Sequence, residues 1–210
     1  MQAVLGSNFA PAAPTVIGQA FGGGFYAGKI AVGGGGVATH YLIVAPKASG
    51  ENSSRAWGTY GESTAQTSVI DGPTNSAVEA GLAYEAATFC EGLTIGGYSD
   101  WYLPAKNELE VLYYFLKPTT GANNTSSGSN ANAVSPEPIS TNYTSGSPAQ
   151  TSAGIGFRTG ETNAFASGFY WSSTESNADK AWTQLFTIAS QGTNNKSNSY
   201  YVRAVRRIAV

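Results

Sequence analysis

The order of elements along this 210-residue chain predicts an α+β domain, with two helices packed on small antiparallel sheets and long irregular loops. Three observations carry that expectation. Two neighbouring stretches, 76–93 and 105–117, repeat apolar residues at three- and four-residue steps, the stripe of an amphipathic helix. Runs rich in β-branched and aromatic residues precede and follow them, at 25–45 and again from 168 onward. Strands and helices do not alternate along the chain, which argues against a parallel α/β sheet.

Residues 1–15, ending Phe9-Ala10-Pro11-Ala12-Ala13-Pro14, read as an arm or linker, and the domain is expected over 16–210. Phe25 to Val32 and Val37 to Ala45 flank Gly33-Gly34-Gly35-Gly36, a hairpin signature. Tyr41-Leu42-Ile43-Val44 is continuously apolar, as in a strand buried on both faces. Residues 46–75 read as loop with short strands.

The first helix carries Val78, Leu82, Ala86, Phe89, Cys90 and Leu93 on one face, with Asn75 or Ser76 as N-cap and Gly92 near its end. In the second, Leu109, Leu112, Tyr113 and Leu116 form the stripe, and Pro118 prevents continuation. Residues 118–168 are dominated by Gly, Ser, Asn, Thr and Pro, a length that in a compact domain is often either functional or mobile. Strand character returns at 168–172, 181–187 and 200–208.

Only 11% of residues are charged, against about 25% in ordinary soluble domains, so neutral polar side chains must make most of the surface. The net charge of −2 offers no basic face for nucleic acid. No signal peptide or membrane span is expected. A single cysteine excludes an intrachain disulfide framework and a multi-cysteine zinc site. Gly23, Gly28 and Lys29 approach a phosphate-binding loop, but Ile30 replaces the magnesium-ligating Ser or Thr, and the residues after it have strand character. His40, the single histidine, precedes a buried strand and has no accompanying catalytic motif. No catalytic residue, metal ligand or cofactor is assigned.

Four segments carry a family resemblance: Ile17-Gly18 with Gly22-Gly23-Gly24-Phe25-Tyr26-Ala27-Gly28; Gly97-Tyr98-Ser99-Asp100-Trp101-Tyr102-Leu103-Pro104-Ala105-Lys106-Asn107-Glu108-Leu109; Tyr170-Trp171-Ser172-Ser173-Thr174-Glu175; and Tyr201-Val202-Arg203-Ala204-Val205-Arg206. Together they resemble the C-terminal domain of the bacterial Lcl adhesins and its phage and bacterial relatives. The resemblance implies a C-type lectin-like fold, related to the formylglycine-generating enzyme and to retroelement-diversified variable proteins. It implies paired terminal strands and a structural role for Asp100, Trp101, Leu103, Pro104, Trp171, Glu175, Arg203 and Arg206, with Asp100 and Glu175 each meeting an arginine of the final strand. The paired cysteines of the formylglycine-generating relatives are missing, and Cys90 reads as a core residue. Calcium-lectin motifs are also missing: Glu137-Pro138 is followed by Ile139.

Asn177, Asp179, Lys180, Gln184, Gln191, Asn194, Asn195, Lys196, Asn198 and Tyr200 are the candidate ligand contacts, because amide, hydroxyl and aromatic side chains suit adaptable recognition. Trp182 alternates with Gln184 and Phe186 and is expected to face the core. The expected protein is a non-enzymatic phage virion adhesin, on a tail or head fibre, that binds a bacterial glycan or protein. Its other partners would be further virion proteins and copies of itself, with a trimer as the fibre-like arrangement. The alternatives are a capsid or tail decoration protein and, third, a glycan hydrolase, for which no persuasive carboxylate pair is visible.

Overall fold

The computed structural model describes residues 12–79, 84–119, 130–134, 156–188 and 190–210. In chain order the elements are β1 (Ala20–Phe21), β2 (Gly24–Ile30), β3 (His40–Val44), α1 (Lys47–Gly50), β4 (Glu51–Ala56), α2 (Gly72–Glu79), α3 (Glu85–Glu91), α4 (Lys106–Leu116), β5 (Ala133–Val134), β6 (Phe169–Glu175), β7 (Lys180–Leu185), β8 (Gln191–Asn195), β9 (Ser199–Arg203) and β10 (Val205–Ala209). Most of the arm, and 120–129 and 135–155 of the long irregular stretch, lie outside the described residues.

The architecture is mostly β, which corrects the α+β, lectin-like expectation of two helices packed on small sheets. Two five-stranded sheets carry it. Sheet one runs β1-β2-β3-β10 with β5 added to β2, and sheet two runs β4-β9-β6-β7-β8. The expected 76–93 helix is two short ones, because Tyr84 leaves helical geometry at φ −108° and ψ 82°. Its ring is buried edge-on against Trp57 at 5.5 Å, so packing overrides the helical periodicity there. Short strands were expected somewhere in 46–75, and β4 is one of them; β8 was not anticipated. ENSSRA and QGTNN have no apolar alternation, and cross-strand pairing with β9 and β7 defines them instead.

The closing strand, expected as one run over 200–208, divides at Ala204. Its N–H donates to Gly50 O at 2.9 Å and its carbonyl accepts from Ala45 N at 3.0 Å, which carries the chain from sheet two into sheet one. There β10 pairs with β3 rather than with the first strand.

The β2–β3 hairpin forms as the glycine run predicts. Leu42 and Val44 join a core cluster with Leu109, Leu112, Leu116 and Phe186, whereas Ile43 joins a second with Trp57, Trp101, Leu103 and Trp171. Sheet one is therefore covered on both faces. Gly28 sits at a bulge in β2 with φ +124°, where an added Cβ would press on the Phe115 ring at 3.0 Å. Close passage of α4 thus explains a glycine that had resembled part of a phosphate loop.

Candidate functional site

The site is built on buried charges. Arg203 at the end of β9 is fully buried, and a guanidinium there needs a counter-charge and acceptors for its N–H groups. Nη1 donates to Glu51 Oε2 at 2.8 Å and Nε donates to Ala45 O at 2.8 Å. The Tyr170 hydroxyl donates to the same Glu51 oxygen at 2.9 Å. Arg206 makes a bidentate pair with Asp100, at 2.7 and 2.8 Å, beside the Trp101 ring that anchors this motif in the core. Arg207, on the opposite face of β10, lies 3.0 Å from Asp71 and 3.8 Å from the buried Glu108.

Glu175 does not meet an arginine. Its carboxylate accepts from Ser63 Oγ at 2.7 Å, Thr64 N at 2.7 Å and Thr64 Oγ1 at 2.6 Å, and lies 3.4 Å from Lys196 Nζ. Burial alone would raise its pKa; the Ser63 and Thr64 hydrogen bonds and the Lys196 charge together hold it below the ordinary carboxylate value. Lys196 also donates to Glu62 O at 2.6 Å and lies over the Trp57 ring at 4.7 Å.

These contacts sort the candidate ligand residues. Lys196, Gln184 and Gln191 are interior, so none of the three presents a side chain to solvent. Asn177, Lys180 and Asn195 are exposed, and Asp179, Asn194, Asn198 and Tyr200 are partly so. The register pairs Lys180 with Asn195, which gathers the β6–β7 and β8–β9 turns at one end of sheet two. There Asn177 Oδ1 accepts from the Asp179 and Lys180 N–H groups, both at 2.9 Å, an Asx-type clamp on the turn. Behind it Asn194 is fixed by Thr183 and Tyr200, and the Tyr200 ring packs on Trp171 at 5.0 Å. Trp182 is half-buried, with the Lys106 ammonium 4.1 Å from its ring centre.

Amide, ammonium and carboxylate groups on a pinned turn pair can make hydrogen bonds to a ligand. Cys90 is buried and its thiol is pushed up by burial, which leaves it a weak nucleophile. Among the described residues no group of three or more His, Cys, Asp or Glu could hold a metal ion, and no helix is long and apolar enough to cross a membrane. Glu51 and Asp71, which pair with the arginines, were missed in the sequence, and Lys196 was read as a ligand contact where it is the interior partner of Glu175. Each lies in a polar, turn-rich stretch that gives no sign of burial.

Two sheets closed over buried ion pairs, with a polar turn surface at one end, define a β-rich scaffold. The family model described as the Lcl C-terminal domain matches residues 51–206, and this chain belongs to that family. The match takes in the tryptophan motifs and the arginine strand; the Ile17–Gly28 segment falls outside it. Among solved structures, the chain is similar to a fimbrial protein from Bacteroides ovatus, at 16% identity and a TM-score of 0.45, over 79% of this chain and 35% of that one. This chain thus corresponds to about a third of that protein's length. No curated protein matches.

Proposed function

We propose that this chain is a non-enzymatic attachment domain displayed on a phage virion, on a tail fibre, head fibre or comparable appendage, where it binds a bacterial cell-surface glycan or protein. The observation that carries the reading is the turn pair at the end of sheet two. Asn177, Lys180 and Asn195 stand exposed there, while the Glu175–Lys196 pair holds the turns rigidly from within. Ordering such groups before contact reduces the entropy lost on binding. Membership of the Lcl C-terminal domain family supports an attachment role. The chain's low charge supports display on an external particle. Assembly with other virion proteins and with copies of itself, as a trimer, belongs to the same proposal.

The test is co-sedimentation of the labelled protein with candidate host cells, beside the variant Asn177→Ala/Lys180→Ala/Asn195→Ala. Attachment should fall in the variant with folding unchanged. Wild-type protein that ignores every host strain, or a variant that binds equally well, defeats the proposal. Peptide mass spectrometry of purified particles tests the virion location separately.

A further inference from the structure

The second core cluster does not end at the surface. Beyond Trp101, the side chains of Phe21, Tyr41 and Ile208 extend the inner face of sheet one into a cavity of about 420 Å³ that Tyr98 closes on another side. That size falls within the roughly 300–1,000 Å³ of small-molecule sites. Ala13 and Val210 also reach it, so both ends of the described chain meet at its rim.

Among the described residues, one charged side chain lines the cavity. Arg206 Nε and Nη2 donate to the two oxygens of Asp100, and Nη1 donates to Gly22 O at 2.9 Å. A guanidinium carries five N–H groups, so one on each terminal nitrogen is left over. The Tyr98 ring holds the guanidinium in place, 3.8 Å from ring centre to guanidinium carbon. The Asp100 side chain is 56% exposed, and each oxygen keeps acceptor capacity beyond its bond to Arg206.

We propose that this cavity is a subsite for one neutral pyranose ring, whose C–H face packs on the apolar wall of Phe21, Tyr41 and Ile208 while its hydroxyls accept from the two remaining Arg206 N–H groups. The inference rests on the attachment reading and names the ligand class and a second place of contact. Asp100 cancels the arginine charge, so an anion gains little there and a cation meets Arg206. A wholly apolar guest would leave the remaining Arg206 N–H groups without acceptors. A hydroxylated ring with an apolar face satisfies both surfaces. Affinity for a single ring would be weak, and repeated copies of the domain would raise it by avidity.

Saturation-transfer NMR on the full chain with methyl glycosides of the neutral hexoses, and with a methyl hexuronide for comparison, tests the proposal. At least one neutral glycoside should show transfer to its ring protons. Binding should weaken about tenfold or more, a loss of about 1.4 kcal/mol, in Tyr98→Ala. It should weaken similarly in Ile208→Trp, which fills the cavity and leaves the Arg206–Asp100 pair in place. Val37→Ala, at an exposed hairpin position that does not line the cavity, should bind as wild type does. No transfer from any neutral glycoside, transfer that survives both cavity variants, or a preference for the hexuronide overturns the proposal. Host-cell binding separates the two readings. Wild type and Tyr98→Ala that bind cells equally sink the cavity and spare attachment; glycoside binding by a chain that ignores all cells does the reverse.

Discussion

Lys196 and Glu175 face each other at 3.4 Å with side-chain exposures of 0% and 1%, so a lysine from an Asn- and Ser-rich turn is an interior ion-pair partner. The pair ties the β8–β9 turn to the end of β6 and closes the Trp57 side of the second core cluster. Its exclusion from water makes it costly to break from one side.

Glu175→Gln leaves the Lys196 ammonium without its counter-charge. Urea unfolding should show a loss of about 3 kcal/mol, in the range for removing one partner of a buried pair. Lys196→Met in the same chain should recover part of it. A single variant as stable as wild type would show that the charge contributes nothing.

Glu175 also sets an acid limit. Its folded pKa lies below the ordinary 4.5, so its stabilisation is complete above that value and fades as pH falls through the folded one. Between wild type and Glu175→Gln, the difference in melting temperature should therefore narrow below pH 4.5.

Glu108 behaves in the opposite sense. Burial pushes its pKa up to about 7, against hydrogen bonds donated by Ala105 N and the Tyr102 hydroxyl and the Arg207 charge. A carboxyl raised in the folded state supports folding fully below 4.5, and that support drains as pH rises towards 7. Over this window Glu108→Gln should lose less melting temperature than wild type, with Glu91, raised by burial, and His40, lowered by burial, supplying the slope that remains. Parallel profiles would contradict the assignment.

Gly28→Ala forces an L side chain into φ +124° and against Phe115. The expected cost is about 2 kcal/mol or more, read from thermal or urea unfolding. By contrast Asn195→Ala, on the exposed turn, should change stability by less than about 0.5 kcal/mol.

Much of the interior was legible because large apolar residues have few places to go. Trp101, Leu103 and Trp171 are core as expected, and α4 lies within one residue of its predicted bounds at each end. The strands were harder. Bulges between Tyr26 and Gly28, and between Trp171 and Glu175, break the two-residue alternation on which a strand pattern depends. β4 and β8 are polar and exist through their neighbours. At the candidate site, sequence could not separate Asn195, which is exposed, from Lys196, which is buried. That distinction depends on Glu175, Ser63 and Trp57, all remote in the chain.

The crossing at Ala204 has a mechanical consequence. A single uninterrupted run, Ser199 to Ala209, is stitched into both sheets with just one residue between its two halves. Tension on either layer is handed across at once, and neither can peel away while the other stays whole.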